Sequence, residues 1–205
     1  MTKRINAKKK ISRKLGASLW GQAKDPYLKR NYRPGQHGTA PKGRSTDYAF
    51  QLKAKQRLKF YYGNISEKQF RNTFEAAYKS RGDSSENFIA ALESRLDTIV
   101  YRANFVPSVF AARQFVNHKH VTVNGKTVNI ASYRVKVGDV VQVREKSRSL
   151  TIVLESLQKM ERDVPSYLQL NADDKSVKFL STPHFADVPY AAEMQPHLIT
   201  EFYSR

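Results

Sequence analysis

The chain contains no cysteine among its 205 residues. Disulfides, cysteine-ligated zinc, iron–sulfur clusters and thiol catalysis are therefore excluded. No apolar run approaches the roughly 20 residues that a membrane-spanning helix needs. The basic N-terminus lacks the apolar stretch of a secretory signal. Neither a G-x-x-x-x-G-K-[ST] loop nor a G-x-G-x-x-G turn occurs, so no nucleotide cradle is expected. Histidine is sparse, at His37, His118, His120, His184 and His197. Only His118 and His120 are close, and in an extended stretch alternation puts them on opposite faces. Acid pairs such as Asp173-Asp174 sit in a charged, loop-like context. These absences predict no catalytic centre, no metal and no cofactor.

Negative charge is missing from one place in particular. The whole chain carries 36 Lys and Arg against 18 Asp and Glu, a formal +18 and a pI near 10.1. Residues 1–60 hold 17 of those cations against only Asp25 and Asp47, a net +15. The remainder is nearly balanced at +3. So lopsided a distribution reads as a basic arm on a folded body, a design suited to polyanions. A merely solvated tail is the bland alternative. Lys3, Arg4, Lys8, Lys9, Lys10, Arg13 and Lys14 self-repel and are expected to order only against phosphates. Trp20, Tyr27 and Tyr32 alternate with Lys24, Lys29, Arg30 and Arg33, which suits either base stacking or packing on the chain's own body. Arg33-Pro34-Gly35-Gln36-His37-Gly38 reads as a rigid turn.

The body has 40% hydrophobic residues, enough for one or two modest domains. A helix is predicted from Asp47 to Tyr62, capped at Ser45-Thr46-Asp47 and stopped by Gly63. A second opens with the capping box Ser66…Gln69 and carries Phe70, Phe74, Ala77 and Tyr78. Residues 83–102 read as a third, with Phe88, Ile89, Leu92, Leu96, Ile99 and Val100 on one face. Arg95 and Arg102 lie on one flank of it, about 10 Å apart. Spacing leaves two roles open for them, holding phosphates or pairing with Glu93 and Asp97. Ser108 caps a short helix through Val116. Val121-Thr122-Val123-Asn124-Gly125-Lys126-Thr127-Val128 is the strongest hairpin signal, with two further alternating strands over 134–137 and 140–144. Helices followed by a small antiparallel sheet make an α+β module. Residues 150–160 fit either a sheet extension or a helix.

Several short segments then align with a known pattern. Arg95-Leu96-Asp97, Val100-Tyr101-Arg102, Ala112-Arg113-Gln114, Val123-Asn124-Gly125 and Val128-Asn129-Ile130-Ala131-Ser132-Tyr133 stand in one order. Pro34-Gly35-Gln36-His37-Gly38, Tyr61-Tyr62-Gly63 and His197-Leu198-Ile199 extend it to both ends. In these the chain resembles the bacterial small-subunit ribosomal protein S-four family. The resemblance implies an α+β fold in which an all-helical domain is interrupted by a helix–helix–antiparallel-sheet RNA-binding module, with a basic extended N-terminal arm. It divides the chain into an arm at 1–45, a helical domain at 46–92 completed by 165–205, and the module at 93–160.

The same resemblance implies a structural constituent of the small ribosomal subunit in the cytoplasm. Its members are primary binders of 16S-type ribosomal RNA that nucleate assembly and influence translational accuracy. Implied neighbours are ribosomal proteins S-three and S-five, with messenger RNA near the entry channel a further candidate. Some members fold the arm around zinc through cysteines, and this chain lacks those ligands. Carried onto this sequence, the RNA contacts on the module are Arg95, Arg102, Ser108, Arg113, Gln114, His118 and Lys119. Lys8, Lys9, Lys10, Arg13, Arg44, Lys53, Lys55 and Arg57 supply contacts from arm and helix, and Gln36 and His37 from their loop. The alternative is a free-standing structured-RNA binder or an accessory to RNA modification, because pseudouridine synthases and some tRNA synthetases carry a similar module. Those enzymes join it to a catalytic domain, for which no residues are in evidence here. A polybasic membrane-surface binder would need an anchoring apolar helix.

Overall fold

The computed structural model describes residues 8–40 and 43–204, with the side chains of Lys8 and Lys9 excepted. Lys3 and Arg4 lie outside the described residues. Among these residues no helix is long and apolar enough to cross a membrane. The chain divides into two compact units, residues 1–71 with 190–205, and residues 72–189.

The first unit is helical. It contains α1 (Lys8–Leu15), α2 (Pro26–Lys29), α3 (Asp47–Tyr61), the start of α4 (Glu67–Tyr78) and α9 (Pro196–Tyr203). The expectation of an extended arm is corrected here. Ile11 and Leu15 stand four residues apart in α1 and are both buried, as is Leu19 beyond its end, so the segment packs as a helix on its own unit. Asp25, itself buried, caps α2 by accepting from the Tyr27 amide at 2.9 Å and from Ser18 Oγ at 3.1 Å. Trp20 donates from Nε1 to the Tyr61 carbonyl at 3.2 Å, which commits it to its own unit. The turn after Arg33 depends on Gly38: a Cβ there would sit 1.9 Å from the Arg33 carbonyl oxygen. Helix α3 starts at its Thr46 cap and packs along α9, where Ile199 is buried.

The second unit is the α+β module. It holds the end of α4, α5 (Ser84–Glu93), α6 (Leu96–Arg102), α7 (Val109–Asn117) and α8 (Thr151–Lys159). Its strands β1 (Val121–Val123), β2 (Lys126–Thr127), β3 (Val140–Val143), β4 (Leu168–Asn171) and β5 (Ser176–Phe179) form one antiparallel sheet in the order β2-β1-β3-β5-β4. The β1–β2 hairpin turns at Asn124 (φ +48) and Gly125 (φ +78), the left-handed pair that a type I′ turn requires. Val121, Val141, Val143 and Val177 of the sheet and Leu96, Ile99, Val100 and Val116 of the helices are all buried.

Three expectations change. The predicted helix over 83–102 breaks after Glu93, and α6 restarts at Leu96 with Arg95 at its N-cap. The break is filled by loop backbone: Leu96 and Asp97 amides donate to the Tyr133 and Ala131 carbonyls, and the Val135 amide to Ser94. That use of 131–135 leaves no strand over 134–137, only an isolated bridge between Arg95 and Arg134. Residues 150–160 resolve as a helix, α8. Finally, residues 165–189 do not complete the helical domain: β5 pairs with β3, so Val177 lies against Val141 in the module's own sheet.

If α1 is a packed helix, Leu15→Ala should destabilise the first unit by about 2–5 kcal/mol, the usual range for emptying a buried leucine site. Thermal or urea denaturation of the full chain measures it, and a loss under 0.5 kcal/mol would contradict the packing.

Candidate nucleic-acid interface

The sequence offers seventeen candidate contacts, and their surroundings separate them sharply. Arg95 is 4% exposed and makes a bidentate pair with Asp97, at 3.0 Å from Nε and 2.7 Å from Nη2. Arg102, 2% exposed, forms the same fork with Glu93 at 3.1 and 2.8 Å. Glu93 also accepts from the Tyr167 hydroxyl at 2.8 Å. Two carboxylates fully inside the unit require paired cations, because an isolated buried charge is very costly. Both arginines sit in buried ion pairs, the second of the two roles that their spacing leaves open.

Others are also committed. Lys55 is buried: its Nζ donates to Glu67 at 2.7 Å and lies 4.2 Å from the centre of the Phe202 ring. Ser108 caps α7, with Oγ accepting from the Ala111 amide at 3.2 Å. Arg57 is half-buried and donates to the Leu15 and Glu193 carbonyls. Arg13 donates to the Tyr32 and Arg33 carbonyls and covers the Tyr32 ring at 4.7 Å. Each of the four is thus engaged within its own unit.

A second group stays at the surface. In the first unit Lys10, Gln36, His37, Arg44 and Lys53 are exposed. In the second, Gln114, His118 and Lys119 are exposed at the end of α7, and Arg113 is half-buried beside them. The side chains of Lys8 and Lys9 lie outside the described residues. The α7 end is built by a reversal of the chain. The Lys119 amide donates to Val116 and the His120 amide to Phe115, while Lys119 takes φ +63. That is a Schellman closure, whose left-handed position usually belongs to glycine. A lysine there accepts backbone strain, and strain of this kind gathers at functional positions.

Sequence reasoning missed what faces this end. The Arg144 amide donates to the His120 carbonyl at 2.8 Å, which brings the exposed Arg144 and Lys146 alongside. The signal was the run Arg144, Lys146, Arg148 directly after a strand. His120 stacks on Phe115 with ring centres 4.8 Å apart, and its Nδ1 is 2.8 Å from Ser147 Oγ. Burial first, then His118 and Arg144, hold its pKa below the usual histidine value. The lone pairs of the last α7 carbonyls favour positive groups at the same place.

Two predictions follow from the committed groups. Glu93→Ala strands Arg102 in the interior and should cost about 3–5 kcal/mol in a denaturation experiment. Glu67 behaves differently with pH. Burial alone would raise its pKa, but hydrogen bonds from Lys55, Lys59 and Tyr203 hold it at about 2. Its stabilising contribution is thus complete above pH 4.5 and is lost as pH falls toward 2. An acid titration followed by circular dichroism should show Glu67→Gln lacking that component, and identical profiles would contradict the clasp.

Comparison with known proteins bears on the whole chain. Residues 3–93 match the ribosomal protein S4/S9 N-terminal domain, and residues 94–141 match the S4 domain. The small ribosomal subunit protein uS4 of Bartonella quintana (strain Toulouse) is 56% identical over 205 residues, covering 100% of both chains. Those of Brucella abortus (strain S19) and Brucella melitensis biotype 1 (strain 16M) are 57% identical over the same full length. With two buried arginine pairs holding the module and a cationic end left open on α7, the chain belongs to the uS4 family of small-ribosomal-subunit proteins.

Proposed function

We propose that this protein is a structural, RNA-binding constituent of the small ribosomal subunit, with 16S-type ribosomal RNA as its main partner. The observation that carries this reading is the α7 end, where the exposed Lys119 sits at a strained φ of +63 beside exposed His118 and Arg144. Fixed cations on a folded surface read the shape of an RNA backbone through phosphates and 2′-hydroxyls. On the module the contacts are Arg113, Gln114, His118, Lys119, Arg144 and Lys146. On the helical unit they are Lys10, Gln36, His37, Arg44 and Lys53, joined by Lys8 and Lys9. The role is binding and assembly, without catalysis or cofactor, in the bacterial cytoplasm as part of the small subunit.

Finer points of the reading rest on family resemblance. They are a primary role in nucleating subunit assembly, a contribution to translational accuracy, adjacency to ribosomal proteins S-three and S-five, and messenger RNA near the entry channel.

A filter-binding titration against 16S ribosomal RNA tests the reading. With about 6–10 phosphates engaged, affinity should fall by roughly 10³–10⁵ between 50 and 200 mM salt. Lys119→Gly should reduce the log–log salt slope by about 1, while the melting temperature holds or rises because glycine relieves the left-handed strain. Equal affinity for an unrelated structured RNA, or an unchanged slope, would contradict it.

A further inference from the structure

Extended alternation would put the rings of His118 and His120 on opposite faces. With the chain reversed at Lys119, their centres are instead 6.1 Å apart. The His120 ring is half-buried. It lies against Phe115 with the ring planes at 29°, and its Nδ1 is 2.8 Å from the Oγ of the buried Ser147. Ser147 ends the short helical turn Glu145–Ser147, so the ring joins the end of α7 to the turn that carries Lys146. A second tie is the backbone bond from the Arg144 amide to the His120 carbonyl.

Positive charge dominates the elements around this ring. Helix α7 and its end carry Arg113, His118 and Lys119. The end of β3 and the turn after it carry Arg144, Lys146 and Arg148, with Glu145 the one acid among them. The Lys175 carbonyl takes the Val143 amide at 3.0 Å, which brings the turn of Asp173, Asp174 and Lys175 to the same strand end. Burial, then His118 and Arg144, oppose a proton on His120 and hold its pKa below the usual value. Two features favour the proton once that opposition is lifted. A serine hydroxyl accepts as well as donates, so Ser147 can take a bond from the Nδ1–H of a charged ring. The last carbonyls of α7 attract positive charge. Phosphates laid on Lys119 and Arg144 cancel the opposing field.

We propose that His120 takes up a proton when RNA phosphates settle on the α7 end, so that this surface grips RNA more tightly as pH falls. The inference deepens the ribosomal RNA reading and rests on it. The proton comes from solvent, and both ring nitrogens of His120 then carry hydrogen, with Nδ1–H donating to Ser147 Oγ. Linkage is reciprocal: phosphates that raise the proton affinity of the ring are themselves bound more tightly by the protonated form, and by the same factor. The ring acts from behind Lys119 and Arg144, as a positioning residue whose charge reaches the RNA through them.

The test follows binding of the full chain to a 16S ribosomal RNA fragment at fixed salt, between about pH 7.5 and 5.5, where histidine changes charge. Wild-type affinity should rise by about threefold or more as pH falls. His118→Gln should bind more weakly and still gain affinity. Adding His120→Phe, which keeps a ring against Phe115, should flatten the profile. Melting curves verify that both variants fold, and histidine ring resonances of the unaltered chain give a readout that needs no variant. There the titration midpoint of His120 should move upward when the RNA is added. A flat wild-type profile, a midpoint that RNA leaves in place, or a double variant that keeps the full gain would overturn the inference and leave the RNA-binding reading intact. Absence of binding to the 16S fragment at every pH would remove that reading, and the inference with it.

Discussion

Two buried arginine–carboxylate forks at the α5–α6 break hold the RNA-binding module in shape. Glu93 closes α5 and receives both Arg102 and the Tyr167 hydroxyl, so one carboxylate ties two helices to the segment that enters β4. Arg102 continues to the Pro189 carbonyl at 3.3 Å. Arg95 pairs with Asp97 while its backbone bridges Arg134, and the flanking amides of Leu96 and Asp97 are satisfied by the same loop. Desolvating four charges is expensive, and such pairs rarely add net stability over apolar packing. What they do here is fix geometry: with both forks closed, the break between the helices has a single arrangement.

The same module presents positive charge at the end of α7, which its own backbone reversal closes. The module spends two arginines inside and keeps Lys119, His118, Arg144 and Lys146 outside. The helical unit divides its cations in the same way. Lys55 and Arg57 join α3 to its neighbours, while Lys10, Arg44 and Lys53 stay exposed. Net charge alone thus overstates the RNA-binding surface. In this protein part of the cationic complement is taken up by carboxylates and backbone carbonyls of its own units, and part stays at the surface.

Much of this was legible in the sequence where the signal is local. The Asn124-Gly125 turn, the Thr46 and Ser108 caps and the buried face of Phe88, Leu92, Leu96 and Ile99 depend on neighbours within a turn or two. The segment 165–180 was not legible, because Pro165 and scattered polar residues hide the β4–β5 hairpin, whose second strand pairs with β3 from Val140↔Lys178 to Gln142↔Ser176, far apart in sequence. The α1 segment was misread because its cations outnumber Ile11 and Leu15, although the four-residue spacing was there. Arg95 and Arg102 stood equally close to phosphate-binding and pairing roles. Only burial decides between them, and burial is a property of the whole fold.

The most direct test of this division is the behaviour of the arginine side chains themselves. In ¹⁵N-resolved spectra of the full chain, the Nε–H signals of Arg95 and Arg102 should be protected from solvent exchange. They should remain unmoved when 16S ribosomal RNA fragments are added, while those of Arg113 and Arg144 shift. Displacement of the Arg95 or Arg102 signals by RNA, with Arg113 and Arg144 unaffected, would contradict the account.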